Sequence, residues 1–222
     1  MSTSYEWNLA IVERYLPALL WGAGWTLRLS VIGFLGGLLL SLPVGFSRAS
    51  QRGPLSSVAA VYTEVMRTIP ALVLMIWLYY CFPILFDLWL SAAVAATLAL
   101  ALSSSAYSAE ILRAGIRAVP IGQVEAAYAL GYSRYQAGRD VVAPQALKLM
   151  LPPFVGLFIA TVKNSALASF IAVPELLHTT NNAISESFRP LELYTAVAVM
   201  YVVILLPLSL LSRRFEWESQ YG

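Results

Sequence analysis

The run from Leu29 to Phe46 carries no charged residue, and this more than anything else limits what the chain can fold into. Its length approaches the roughly 20 apolar residues that a helix needs to cross a hydrocarbon core about 30 Å thick. A backbone in that core must satisfy its own N–H and C=O groups, which a helix does within itself. Further apolar runs follow at 56–82, 88–112, 149–173 and 193–212, the first three of them carrying Glu64 and Arg67, Glu110, and Lys163 respectively. The expected architecture is therefore an all-α integral membrane protein, a single transmembrane domain of five helices over 1–222. In it, 1–28 is an outer tail and interfacial segment and 113–148 a cytoplasmic loop. Composition agrees, with 59% hydrophobic and 12% charged residues and a mean hydropathy of +0.71. Those values lie outside the range of soluble domains.

Several function classes fall away. A net charge of +2 is too small for a nucleic-acid-binding surface. Cys81 is the sole cysteine and His178 the sole histidine, leaving almost no ligands for a transition metal and no disulfide framework. No paired carboxylates, Ser–Lys dyad at helical spacing or metal set points to an intramembrane enzyme. The phosphate-binding G-x-x-x-x-G-K-[ST] loop is also missing, so ATP is not expected to bind here in that way. Energy for any work across a membrane is expected from a partner.

Residues 1–14 lack a basic start, a short apolar core and a small-residue cleavage site, so no signal peptide is read there. Trp7, Trp21 and Trp25 suit an interfacial belt, and Tyr15 to Trp25 is expected to lie along it before the chain turns inward. Gly33, Gly37, Ser41 and Gly45 recur every fourth residue, a small-residue stripe on which another helix can pack closely. Ser91, Ala95, Ala99 and Ser103 form a second such stripe. Glu64 and Arg67 stand three apart and are expected to pair on one helix face. Pro70 lacks a backbone donor and is expected to bend the second span there, a candidate gate element. Glu110 stands three residues from both Tyr107 and Arg113 and is expected to brace the basic loop that follows.

Lys163, Asn164 and Ser165 interrupt the fourth span. Either Lys163 snorkels outward, or the three face the interior, offering a charge and hydrogen bonds to a carboxylate. Residues 173–192 are polar and read as an outer loop, with His178 solvated in it. Arg48, Arg52, Arg113, Arg117, Arg134, Arg139, Lys148, Arg213 and Arg214 all fall on one side of this arrangement, against Arg14 and Arg189 on the other. That asymmetry puts the basic side in the cytoplasm, the N-terminus outside and the C-terminus inside.

The one polar stretch that still looks folded runs from Gln123 to Pro144. A short helix of good formers ends at Gly131, where a residue at positive φ is wanted. Ser133 followed by Gln136 has the capping-box spacing, so a second short helix is expected to start at once. The result is a rigid knuckle topped by the small residues Ala126, Ala127 and Ala129.

This stretch resembles the EAA loop of membrane subunits of type I ABC importers: E-A-A, three residues, G, nine residues, I-x-L-P. Glu125, Ala126, Ala127, Gly131 and Pro144 match it, with Val141 and Ala143 departing at the isoleucine and leucine positions. The flanking text from Ala106 to Gly115, and Pro144-Gln145-Ala146, is similar to that of the polar amino-acid permeases. The likeness runs from about Gly24 to Arg214.

The resemblance implies a bacterial inner-membrane permease subunit, not itself an enzyme. It implies a second permease beside it, either the same chain or a close relative. It also implies two cytoplasmic subunits that bind ATP and Mg, a periplasmic or lipid-anchored amino-acid-binding protein, and surrounding lipid. In that scheme Ala126 and Ala127 sit in a groove of the ATPase, Glu125 fixes orientation and Gly131 sets the lever's angle. Glu64, Arg67, Pro70, Lys163, Asn164 and Ser165 are the candidates for the substrate path and gate, and Lys163 with the text around Arg67 leans the cargo towards glutamate or aspartate. The alternative is an ion-coupled secondary transporter using Glu64, Arg67 or Lys163 as a relay.

Overall fold

The computed structural model describes residues 5–50 and 53–221, with side chains as far as position 214. Arg52, one of the charges weighed for topology, lies outside the described residues. Every regular element among those described is helical. They are α1 (Ala10–Ser50), α2 (Pro54–Thr68), α3 (Ala71–Phe86), α4 (Ala92–Ala118), α5 (Ile121–Ala129), α6 (Arg134–Ile171), α7 (Leu176–Ser187) and α8 (Pro190–Tyr221). Helices α1, α4, α6 and α8 are long and apolar enough to cross a membrane, and the bent pair α2–α3 makes a fifth if counted as one span.

The first span starts much earlier than residue 29. No turn separates an interfacial arm from it, and α1 is one unbroken helix. The reason is that the small-residue stripe extends backwards. Gly22 and Thr26 are buried on it ahead of Gly33, Gly37, Ser41 and Gly45. Against its first part lies α7, where a Cβ on Gly22 would come within 3.0 Å of the Leu176 Cα. Against the rest lies α4, and a Cβ on Gly37 would stand 2.7 Å from the Ala101 carbonyl oxygen. Two backbones can approach that closely only where side chains are absent. The second stripe serves another contact: Ala95 and Ala99, with Ala96 beside them, form a core with Leu74, Met75 and Leu78 of α3 and Ile171 of α6.

The span expected at 56–82 is not straight. It bends by 98° between α2 and α3, at the residue where Pro70 predicts a break. Ile69 takes an extended conformation, and the Thr68 hydroxyl donates to the Glu64 carbonyl at 2.8 Å. A related device occurs twice more in milder form. Pro83 and Pro144 each lie just beyond a π-turn, Trp77–Cys81 and Ala137–Val142, in which the residue before the proline donates five residues back. A proline removes one donor and crowds the carbonyl four residues earlier, and the wider turn relieves the crowding.

Two further expectations are corrected. The helix after Gly131 is not short, because it runs through its π-turn into the fourth span as α6. Residues 173–192 do not form an open loop. Most of them fold as α7, whose buried Leu176, Thr180 and Ala183 recur at four and three residues while Asn182 and Glu186 stay exposed.

Candidate functional site

At one end of the bundle stands the knuckle. Helix α5 closes in a Schellman motif: Tyr132 N–H donates to the Ala127 carbonyl and Gly131 N–H to that of Tyr128, both at 3.0 Å. Gly131 holds φ at 83°, a conformation that costs glycine nothing. Ser133 then accepts from Gln136 N–H and donates its own N–H to the Gln136 side chain, completing the box. Glu125 and Ala126 are exposed, as is Pro144 beside the π-turn. Ala127 is not. It is 4% exposed and turned inward, where α5 packs against the π-turn, so it is unavailable to a groove on another protein.

The gate candidates divide. Arg67, Thr68, Ile69 and Pro70 line a cavity of about 470 Å³ together with Ser103, Ser104 and Tyr107 of α4 and Thr161 and Asn164 of α6. The Arg67 guanidinium lies over the Tyr107 ring at 5.4 Å, and Tyr107 Oη donates back to the Arg67 carbonyl at 3.5 Å. The pairing expected of Glu64 with Arg67 does not form. Both side chains are exposed, and Arg67 is engaged by the aromatic ring instead.

Lys163, Asn164 and Ser165 do not act as a cluster. Consecutive helical residues point about 100° apart, so three in a row cannot share a face. Asn164 reaches the cavity. Lys163 opens on a separate groove with Tyr201, Leu205 and Ser209. Ser165 is buried and donates to the Val162 carbonyl at 2.9 Å.

Three carboxylates do more than their sequence context announces. Glu110 does brace Arg113, accepting from its Nε at 3.0 Å and also from its Nη2. It also holds Arg48 of α1 at 2.8 Å, and Arg48 in turn donates to Thr63 of α2, so one carboxylate clamps three helices. Glu175 is fully buried and caps α7, accepting from Leu177 N–H at 2.9 Å and His178 N–H at 2.7 Å. Thr26 of α1 and Tyr201 of α8 also donate to it, each at 3.4 Å. Burial outweighs those donors and pushes its carboxyl up from 4.5 to about 6. Glu192, 1% exposed, accepts from Tyr5 Oη and, at 3.1 Å, from Asn8 N–H. The one legible signal was position: Glu175 stands just ahead of an apolar helical face, where a capping acceptor belongs.

The family of binding-protein-dependent transport system inner membrane components matches residues 37–216. The chain belongs to that family. It is 39% identical over 213 residues to the glutamine transport system permease of Escherichia coli strain K12, covering 96% of each protein. Against the L-cystine transport system permease of Bacillus subtilis it is 33% identical, covering 97% of this chain and 92% of that one. A crystal structure of an amino acid ABC transporter with histidines aligns with a TM-score of 0.89 and 36% identity, over 96% of this chain and 100% of that one. The methionine ABC transporter in its inward-facing form, at 20% identity and a TM-score of 0.78, shares the fold. The chain is thus an inner-membrane permease subunit of the type I ABC fold, a transport component whose ATPase resides in separate subunits. These relatives lend no support to the ion-coupled alternative.

Proposed function

We propose that this permease carries polar amino acids inward, driven by ATP hydrolysis in partners that grip the knuckle. One observation carries the reading: α6 is a single helix with the knuckle at Arg134 and the cavity-lining Asn164 near its other end. About 30 residues at 1.5 Å each make a rod of roughly 45 Å, long enough to carry movement at the knuckle to the bend at Pro70. The exposed Glu125 and Ala126 are the contacts for an ATPase, Gly131 fixes the angle of α5 and Pro144 sets the π-turn. The basic residues of this end favour the cytoplasm for it and the outer side for the N-terminus. Two permeases, identical or closely related, form the pathway, with two ATPases below and a soluble receptor above.

The cargo follows from the cavity. Lys163, which argued for an acidic amino acid, lies outside it, so Arg67 is left as its cation. One guanidinium suits the α-carboxylate that every amino acid carries, and Ser103, Ser104, Thr161 and Asn164 suit a neutral polar side chain. The glutamine and cystine permeases among the relatives fit that class better than glutamate or aspartate. Vesicles holding this chain with its co-expressed ATPase and receptor test the reading. Labelled glutamine should accumulate only with ATP and be displaced weakly by glutamate. Accumulation on a proton gradient without ATP would overturn the mechanism, and stronger displacement by glutamate would overturn the cargo class.

A further inference from the structure

A groove of about 630 Å³ lies between the end of α1, the end of α4 and the π-turn of α6. Its floor is apolar, from Phe46, Ile116 and Val142, while Arg134, Tyr135 and Arg139 line its other side. We propose that this groove binds an anionic phospholipid, with an acyl chain against the floor and the phosphate on Arg134 and Arg139. The inference rests on the proposed orientation only in setting this end at the membrane–water boundary.

Two independent features select that occupant. The first is continuity with the lipid-facing surface. Leu35, Leu39, Leu42 and Phe46 follow one another at four, three and four residues along α1 and are 50%, 68%, 38% and 59% exposed. They form an apolar track that ends in the groove. A chain lying on that track enters without crossing water. The second is charge. Arg134 is exposed, and its side chain makes no hydrogen bond or ion pair among the described residues. Arg139 lies over the Tyr135 ring at 5.8 Å and spends part of its charge on Asp140 at 2.6 Å. Arg134 is therefore the stronger phosphate ligand and Arg139 the weaker. Basic pockets between helices at the cytoplasmic face are a recurrent setting for anionic headgroups.

The site touches the lever itself, since two of its walls are the π-turn and Arg134, the first residue of α6. A bound lipid would fill the space beneath that turn and lie between it and the membrane-facing surface of α1.

Native mass spectrometry of the intact detergent-purified transporter, titrated with phosphatidylglycerol or phosphatidylcholine, tests this. Wild type should prefer phosphatidylglycerol by at least about ten-fold, and Arg134→Gln should cut that preference about five-fold, the worth of one arginine near a charged headgroup. Arg134→Lys should keep most of the preference, and Arg134→Gln with Arg139→Gln should remove it. Ala49→Trp, which fills the groove, should weaken both lipids. Equal binding of the two lipids by wild type, or an undiminished preference in the double variant, would overturn the site. So would a cross-link from a cysteine at Phe46 to an ATPase subunit, because a protein would then occupy the groove. Recovery of the ATPases with each variant reports on the transport assembly separately from lipid binding.

Discussion

The two ends of the bundle handle polar groups in opposite ways. At the knuckle they are exposed and their bonds are local: the Ser133–Gln136 box closes over three residues and Arg139 pairs with its neighbour Asp140. At the other end the carboxylates Glu175 and Glu192 are buried, and part of their bonding reaches far along the chain. Thr26 donates to Glu175 across 149 positions and Tyr5 to Glu192 across 187. Local bonds give an element its own shape and leave it free to shift as a unit, whereas distant ones tie elements to each other. The knuckle is thus a rigid handle on a bundle that is knotted elsewhere, which is what transmission of movement requires. The Glu110 clamp lies between these extremes, joining α1, α2 and α4 through one partly exposed carboxylate.

The largest effect expected is at Gly131. Proline there cannot take a φ of 83° and loses the bond to Tyr128, a local cost of about 3 kcal/mol or more. Gly131→Pro should insert normally yet lose ATP-driven uptake by more than about ten-fold in vesicles. Near-normal uptake would break the claim that the knuckle's angle matters.

Glu175→Ala comes next. It strands two part-buried N–H groups and two hydroxyls, and should destabilise the purified protein by about 3 kcal/mol in thermal unfolding. The exposed Glu125→Ala should stay within about 0.5 kcal/mol. Similar losses for both would erase the contrast between the ends.

Glu175 also sets a pH dependence. Its carboxyl is raised in the folded state from 4.5 to about 6, so the fold holds that proton more tightly than the unfolded chain does. The resulting stabilisation is present below about pH 4.5 and is lost as pH climbs to about 6, some 2 kcal/mol in all. The unfolding temperature should fall across that window in wild type, with this component absent in Glu175→Gln. A wild-type fall unchanged in the variant would assign the titration elsewhere.

Smaller losses rank the remaining ion pairs. Glu110→Gln, at a site 25% exposed, should cost about 1–2 kcal/mol, while Asp140→Asn, whose partner Arg139 is 63% exposed, should cost less than about 0.5. Chemical unfolding of the two variants side by side would sharpen the comparison. A reversed order would move the structural weight to the knuckle.

Local rules made much of this legible. Apolar runs point to the long helices, the period-four stripe to the close α1–α4 contact, and Pro70 to the bend. Gly131, Ser133 and Gln136 mark the turn within the knuckle through backbone chemistry that acts within a few residues. The features that escaped depend on what the chain meets elsewhere. Nothing near Gly22 says that α7 will press on it, and nothing near Glu175 says that Thr26 and Tyr201 will meet it. Lys163 and Asn164 were grouped because they adjoin, although helical rotation sends them to different cavities. Ala127 was assigned outward with Ala126, although the turn of α5 buries one and exposes the other.

That α6 moves as one rod is tested most directly by spin-label distances in the assembled transporter, with Cys81 replaced by serine. Tyr135 and Phe170, 75% and 64% exposed, stand near the two ends of α6 and accept labels. Leu35, 50% exposed, offers a reference on α1. On ATP binding the Tyr135–Phe170 distance should hold within about 2 Å of the roughly 50 Å that 1.5 Å per residue implies, while Tyr135–Leu35 changes by several ångströms. A Tyr135–Phe170 distance that shortens while Phe170–Leu35 stays fixed would show the helix folding at its π-turn, and would contradict transmission through α6.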